Sequence, residues 1–180
     1  MRDREEAALE IERKYRLTSL PQNFTTYPHY DIEQGYLCSD PVVRVRRSGP
    51  LTDGKEVLRE GHCSLVYKSS GLLAHEEETF SLTEEAYQHL KAKADGIVIQ
   101  KTRYRIPFDP YVIELDLFHN VSDPRDPGKL LCMAEVEFPS LEEANAFQPA
   151  DWFGEDVTMD PRYHNSAMVQ GSGENTQNHK

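Results

Sequence analysis

Apolar and polar residues alternate along much of the chain with the period of two that is typical of β-strands. In the first such segment, LEIERKYRL, charged residues occupy every second position from Glu10 to Arg16, with mostly apolar residues between them. Successive side chains of a strand point to opposite faces, so this strand has one charged face and one largely apolar face. Similar segments, each bounded by turn-forming residues, predict about eight strands. They cover residues 9–17, 30–38, 42–47, 63–69, 75–82, 97–106, 111–119 and 131–138.

The segments between these strands are short or helical. Gly, Pro and Asp in RSGPLTDG and SDPRDPGK predict hairpin connections, and short connections favour antiparallel pairing. Capping and stop residues predict one helix over 81–96 and a second over 140–149. A short helical stretch is also expected over 161–169.

The charged faces are sorted by sign from strand to strand. All charged residues of VVRVRR and QKTRYR are basic, whereas those of IELDLF and AEVEF are acidic. Charged faces turned to solvent over an apolar core would make an ordinary antiparallel sheet protein, and this interpretation is coherent. An outward face has no need to sort its charges, however, so the sorting favours two charged walls that face each other across an interior.

We therefore predict an α+β fold, in which a closed eight-stranded antiparallel β-barrel has a charged interior and helices packed on its apolar outside. Such an interior has room for side chains or for one small ligand. The basic wall suits a polyanion and the acidic wall suits a divalent cation. Carboxylates without neighbouring His or Cys favour Mg²⁺ or Mn²⁺ over Zn²⁺.

Composition narrows the class of protein further. The 180 residues are 38% apolar and 28% charged, so we expect one domain over 1–170 and a disordered polar tail over 171–180. The formal net charge of −11 argues against nucleic-acid partners and anionic membranes. Three scattered cysteines predict neither a disulfide framework nor a zinc site. Because no apolar leader or membrane span is seen either, we expect a cytoplasmic protein.

The order of the motifs resembles that of the CYTH, or triphosphate tunnel metalloenzyme, superfamily. EIERK is followed by QGYL, RVR, YKSSG, QKTRY, IELDLF, AEVEF and WFGEDVTMDPRYHNSA, so the resemblance covers residues 9–168. The last motif is most similar to that of the short bacterial triphosphatases of the superfamily. The resemblance implies an eight-stranded tunnel in which a triphosphate, with inorganic tripolyphosphate as the first choice, is hydrolysed with Mg²⁺ or Mn²⁺.

The resemblance also implies roles for individual charged residues. The phosphate-binding cations would be Lys14, Arg44, Arg46, Lys68, Lys101, Arg103 and Arg162. The metal-binding acids would be Glu10, Glu12, Glu135 and Glu137, with Glu114 and Asp116 on the neighbouring strand. In HEEETF, Glu77 matches the first acid of a further pair that supports a tunnel arginine, but Thr79 stands where the family has the second acid.

The basic wall suggests a group for proton transfer. A lysine surrounded by arginines is pushed towards neutrality, because the pKa of lysine shifts readily while arginine stays charged. We therefore predict that Lys68 or Lys14 assists proton transfer from the attacking water, with Tyr36 of QGYL as a further candidate.

Other functions on the same fold stay open at this point. A class IV adenylyl cyclase or a thiamine triphosphatase would use the same tunnel, and a non-catalytic module that binds polyphosphate or a nucleotide would need only the basic wall. All three acidic pairs are present, which favours an enzyme, and nothing in the sequence identifies an adenine pocket. The sequence leaves open whether the chain forms a homodimer.

Overall fold

The computed structural model describes residues 8–69 and 74–169, and antiparallel β-structure dominates it. The strands are β1 (Ala8–Leu17), β2 (His29–Ser39), β3 (Val42–Ser48), β4 (Leu51–Thr52), β5 (Val57–Arg59), β6 (His62–Lys68), β7 (Ala74–Leu82), β8 (Asp95–Phe108), β9 (Tyr111–Asp123), β10 (Asp126–Phe138) and β11 (Phe153–Asp156). The helices are α1 (Glu84–Lys91), α2 (Leu141–Ala146) and α3 (Asn165–Met168), with 3₁₀ turns at Phe24–Thr26 and Pro161–Tyr163. The predicted tail, 171–180, lies outside the described residues.

Each predicted strand has a counterpart in the structure, namely β1 to β3 and β6 to β10. The short strands β4 and β5 pair with each other inside the connection that RSGPLTDG opens, which confirms a hairpin there. Helix α1 is shorter than predicted and ends at Lys91, because β8 begins at Asp95. The helical stretch expected over 161–169 is a 3₁₀ turn followed by α3. None of the described helices is long and apolar enough to cross a membrane.

The long strands follow one another in the sheet in the order β3-β6-β7-β1-β10-β9-β8-β2, and every pair is antiparallel. In addition, β2 pairs with β3, with Gln34 opposite Arg46. Each of these eight strands therefore has a partner along both of its edges. The α+β class and the antiparallel sheet are confirmed.

Helices α1 and α2 cover apolar faces of the strands. The Thr83 hydroxyl caps α1 by accepting a hydrogen bond from the Ala86 amide, and the fully buried Tyr87 of α1 packs with Val45 and Cys63. Helix α2, which Ser140 caps, lies beside β1 and β10. Burying one large apolar side chain contributes about 1.5–3 kcal/mol, so these contacts hold the apolar faces towards the helices. The charged faces of the same strands consequently point to the other side of the sheet.

The segment that contains α3 is anchored at both ends. The buried Tyr163 donates a hydrogen bond from its hydroxyl to Asp123 over 2.9 Å. At the other end, the Ile97 amide donates to the Val169 carbonyl over 3.0 Å. Gly96 makes this approach possible, because its φ is +64° and a Cβ there would lie 1.8 Å from the Val169 carbonyl oxygen.

Candidate active site

Charged side chains from six strands converge on an inner cavity of about 80 Å³. Among the described residues, its lining contains acids, bases and one amide, and no apolar residue. The lining residues are Glu10, Glu12, Lys14, Arg44, Arg46, Lys68, Glu77, Arg103, Glu135, Glu137 and Asn165. The structure thus brings together most of the residues that the sequence predicted for the site.

Strand register places opposite charges face to face around this cavity. Lys14 lies opposite Glu135 in the β1–β10 pair, and Arg103 lies opposite Asp116 in the β8–β9 pair. Directly opposed residues have Cβ atoms about 4.5–5.5 Å apart, which is close enough for their charged groups to meet. The alternation seen in the sequence is therefore the direct cause of the ion pairs described below.

Lys14 is held by two carboxylates. Its Nζ lies 2.8 Å from Glu12 Oε1 and 2.9 Å from Glu135 Oε1, and the residue is only 4% exposed. Burial by itself would lower the pKa of the Lys14 ammonium, but the attraction of Glu12 and Glu135 outweighs burial and raises that pKa above its ordinary value. The expected shift of Lys14 towards neutrality is therefore wrong, because the lysine faces carboxylates and not arginines.

Arg103 is the centre of a larger network. Its Nε and Nη2 each donate to Asp116 over 2.7 Å in a forked arrangement, and Nη2 also lies 2.5 Å from Glu135. Its Nη1 bonds Glu114. A bidentate guanidinium fixes both partners in orientation as well as in distance. Arg103 and Glu135 line the inner cavity, whereas Asp116 lies behind that wall with no exposed surface.

Lys101 also lies behind the wall. It is fully buried and bonds Asp116. Burial lowers the pKa of Lys101 to about 8, because the nearby Arg103 opposes protonation and the attraction of Asp116 compensates only in part. Lys101 is thus the lysine with the depressed pKa that we expected at Lys68 or Lys14. It faces a different cavity of about 750 Å³, lined by a mixture of apolar, polar and charged residues, and not the inner cavity.

Arg44 and Arg46 are less well compensated. The Arg46 guanidinium donates to the neutral Gln34 Oε1 over 3.2 and 3.3 Å, and no carboxylate of the described residues pairs with it. Burial, followed by repulsion from Arg44 and Arg103, lowers the pKa of Arg46 to about 10. Arg44 lies 3.8 Å from Glu77, and its buried Nε has no hydrogen-bond partner within the described part of the chain. This side of the cavity therefore carries excess positive charge.

Glu77 bridges two cations in spite of the unusual residue at position 79. Its Oε2 lies 2.5 Å from Lys68 Nζ and 3.8 Å from Arg44. Lys68 also contacts Glu10 over 2.6 Å. The Thr79 hydroxyl donates to Glu77 Oε1 over 3.3 Å, so the residue that stands in place of the second acid of the family pattern contacts the first acid.

Glu137 is an acid without an ion-pair partner among the described residues. It lies opposite Glu12 in the β1–β10 pair. Burial and then the like charges of Glu114, Glu10 and Glu12 raise the pKa of Glu137 to about 7. Several carboxylates thus share this side of the cavity, and their chemistry fits a hard divalent cation. No group of three or more His, Cys, Asp or Glu side chains in the described ranges is already arranged as a metal centre, since the neighbouring acids are paired with lysine and arginine.

An outer cavity of about 350 Å³ adjoins the inner one. Five side chains line both cavities and form what we call the neck: Glu12, Lys14, Arg44, Lys68 and Asn165. Tyr36 lines the outer cavity, and the Gln34 amide donates to its hydroxyl over 3.1 Å. Three of the five neck residues are cations, so an anion that extends from one cavity to the other passes between positive charges.

Arg162 lies apart from both cavities. Its side chain is 54% exposed, and its Nε and Nη2 bond Asp160 over 2.9 and 2.6 Å. The adjacent Tyr163 is buried, and in this tight turn the side chain of Arg162 points away from that core. The structure therefore does not place Arg162 among the cavity cations.

Two residues of the site were not predicted from the sequence. Gln34 and Asn165 carry no charge, and the alternation of charged residues that identified the other positions gives no signal for them. Gln34 is the first residue of the QGYL motif and lies two positions before Tyr36 on β2, and this membership of the motif is the signal that was available. Asn165 lies within the last motif, next to His164.

Comparison with known proteins finds relatives over nearly the whole chain. The chain is 32% identical over 165 residues to an inorganic triphosphatase of Nitrosomonas europaea, and this match covers 89% of the chain and 96% of the relative. It is 32% identical over 144 residues to an inorganic triphosphatase of Acetivibrio thermocellus, covering 79% of the chain and 81% of that relative. Among solved structures, the inorganic triphosphatase NE1496 matches with a TM-score of 0.61 and 30% identity, covering 90% of this chain and 95% of that one. No protein-family model matches the chain.

The relatives are matched over most of their length, and the solved structure shares the fold of this chain. Their name, inorganic triphosphatase, agrees with the function that the motif order and the charged cavity indicate. Identity above 30% over most of both chains indicates common descent. The chain belongs to the inorganic triphosphatases of the CYTH, or triphosphate tunnel metalloenzyme, superfamily.

Proposed function

We propose that this protein hydrolyses inorganic tripolyphosphate in its charged cavity. Water attacks a terminal phosphorus atom, the P–O bond to the bridging oxygen breaks, and phosphate and diphosphate are released. The names of the relatives support this substrate. The observation that carries the proposal is the half-buried Arg46, whose guanidinium has only a neutral partner among the described residues and therefore suits an anionic ligand.

The eight long strands form a closed tunnel in this proposal. The pairing of β2 with both β8 and β3 supports closure, because it links the two ends of the strand order. A closed barrel of this size encloses one small ligand and keeps bulk water away from it. Electrostatic interactions inside such an enclosure are stronger than in water, which suits the stabilisation of a highly charged transition state.

The cations have two different tasks. Arg44, Arg46 and Lys68 face the cavity and bind the phosphate oxygens, Arg as a fork and Lys as a point charge. Arg103 and Lys14 contact carboxylates from both sides and hold the walls in register while adding positive charge. Phosphoryl transfer depends on such positioning and charge stabilisation more than on covalent chemistry by the protein.

The carboxylates would hold the divalent cation. Glu10, Glu12 and Glu137 line one side of the cavity, and Glu135 is close to them through Lys14. Glu114 does not line the cavity, but its charge lies near Glu137 and it contacts Arg103. Mg²⁺ or Mn²⁺ bound there would neutralise substrate charge and lower the pKa of a bound water. Asp116 supports this group from behind through Arg103 and Lys101.

Lys68 and Tyr36 remain our proposals for proton transfer. Lys68 belongs to the neck and Tyr36 lines the outer cavity, where the water would approach the substrate. The Lys68→Arg variant keeps the charge but not the titration of lysine. A pH–rate profile of this variant identical to that of the parent would exclude Lys68 from this role.

The test is a phosphate-release assay with tripolyphosphate, ATP and thiamine triphosphate, each with Mg²⁺, with Mn²⁺ and with EDTA. We expect metal-dependent release, fastest from tripolyphosphate. Formation of cyclic AMP from ATP would identify a cyclase instead, and preference for thiamine triphosphate would identify the corresponding phosphatase. Tight binding of triphosphates without turnover would identify a binding module. A cytoplasmic location and the absence of nucleic-acid and membrane partners remain predictions, and whether the chain forms a homodimer stays open.

A further inference from the structure

The Asn165 side chain makes no hydrogen bond within the described part of the chain, although it lines the charged inner cavity. Its Oδ1 is buried and has no partner among those residues. A buried polar atom without a partner is costly, and native structures rarely keep one without a reason. Asn165 is the first residue of α3, but its side-chain oxygen accepts no hydrogen bond from a backbone amide of the described residues, so helix capping does not explain its presence.

The position of Asn165 suggests what its partner is. It is the only uncharged member of the neck, where it meets Glu12, Lys14, Arg44 and Lys68 of the described residues. The inner and outer cavities adjoin at the neck. A triphosphate chain that extends from the inner cavity into the outer one therefore passes Asn165.

The backbone holds Asn165 firmly at this point. The neighbouring His164 bonds the Thr158 carbonyl through Nε2 over 2.9 Å, and Tyr163 bonds Asp123 over 2.9 Å. Beyond α3, the Val169 carbonyl accepts from Ile97. The chain is therefore already ordered around Asn165, so a contact with a ligand at the neck has a small entropic cost.

We propose that Asn165 contacts the substrate at the neck. Its Nδ2 donates to a phosphate oxygen of the triphosphate, and its Oδ1 accepts from a water that lies beside this oxygen. A neutral amide suits both partners, whereas a carboxylate at this point would repel the phosphate chain. The contact determines specificity for a chain long enough to span both cavities. This inference rests on the proposed function, since it names a contact of the proposed substrate.

The test compares Asn165→Ala and Asn165→Asp with the parent and with Asn145→Ala, a matched change at an exposed asparagine of α2 that lines neither cavity. Loss of one hydrogen bond to a charged group should lower kcat/KM for tripolyphosphate about tenfold or more in Asn165→Ala, mainly through a higher KM. The loss should be larger in Asn165→Asp, which keeps the shape and adds a negative charge. Asn145→Ala should stay within about twofold, since this residue is at the surface and away from the substrate.

Calorimetric titration with tripolyphosphate in EDTA measures the same contact without turnover. Affinity should fall in both Asn165 variants, in the same order. The inference is overturned if Asn165→Asp binds and hydrolyses tripolyphosphate like the parent, and a lower melting temperature of Asn165→Ala does not affect this comparison because the Asp variant is isosteric. If the parent itself releases no phosphate, the proposed function fails. If the parent is active and the variants equal it, only the inference about Asn165 fails.

Discussion

Two groups of charges inside this protein differ in how far the protein neutralises them. In the compensated cluster, which consists of Lys14, Lys101, Arg103, Asp116 and Glu135, every charge contacts an opposite one, and these contacts are almost inaccessible to water. In the uncompensated pair, Arg46 has only an amide partner and Glu137 has no ion-pair partner among the described residues. The first group holds the architecture together in spite of its desolvation, and the second leaves charge available for ligands.

The largest expected effect tests the compensated cluster. Asp116→Ala removes the carboxylate that both Lys101 and Arg103 contact, and both cations are buried. Breaking a buried ion pair by removing one partner costs about 3–5 kcal/mol, because a charge is left without compensation. Urea unfolding should show a loss of this size. Glu155→Ala, which removes an exposed partner of Arg125, is the control and should cost less than about 1 kcal/mol. Equal losses in both variants would contradict a structural role of the cluster.

The second prediction tests the uncompensated pair. Arg46→Gln removes a cation that repels Arg44 and Arg103, so the free energy of unfolding should stay within about 0.5 kcal/mol of the parent or rise. Phosphate release from tripolyphosphate should nevertheless fall about 100-fold or more, as for the loss of one preorganised donor. Arg162→Gln, at an exposed arginine, should change neither quantity. If Arg46→Gln destabilises the protein like Asp116→Ala, the distinction between the two groups is wrong.

The sequence predicted which residues line the cavity better than it predicted which charges pair with each other. Alternation and sorting by sign depend on strand period alone, so the sequence by itself assigned Glu10, Arg44 and Glu137 to one interior, and all three line the inner cavity. The pairing of each charge depends on register and tilt between strands that are distant in sequence. Lys14 therefore contacts carboxylates where we expected arginines, and its pKa is raised instead of lowered because of these carboxylates.

Two further outcomes depended on features that a pattern of residues does not contain. Arg162 matched a motif, but its position in a tight 3₁₀ turn beside the buried Tyr163 directs it to Asp160 at the surface. Asn165 was not singled out, because a neutral amide becomes conspicuous only when the structure shows that its buried oxygen has no partner among the described residues. Strand positions follow a period, whereas turn positions depend on the local path of the backbone.

The third prediction concerns pH and the acid of the uncompensated pair. The folded-state pKa of Glu137 is raised to about 7, whereas an unfolded glutamate has about 4.3, so the folded state binds more protons between these values. Stability should therefore fall as the pH rises through this window and be lowest above it. Unfolding of the metal-free protein in EDTA at several pH values measures this. Glu137→Gln should flatten the dependence, and Mg²⁺ or Mn²⁺ should stabilise the parent more at pH values above the window than below it. A dependence unchanged in Glu137→Gln would show that other groups cause it.

The smallest expected effect concerns the Thr79 hydroxyl, which stands where the family pattern has a second acid. The Thr79 hydroxyl contacts Glu77 over 3.3 Å, a long hydrogen bond on an exposed strand position. Glu77 keeps Lys68 at 2.5 Å and Arg44 at 3.8 Å without it, so Thr79→Val should lower phosphate release by less than about threefold. Thr79→Ser keeps the hydroxyl and is the matched control. A loss of more than about tenfold in Thr79→Val alone would show that the hydroxyl, and not the two cations, fixes the orientation of Glu77, and that a single neutral donor replaces the second acid of the family pattern.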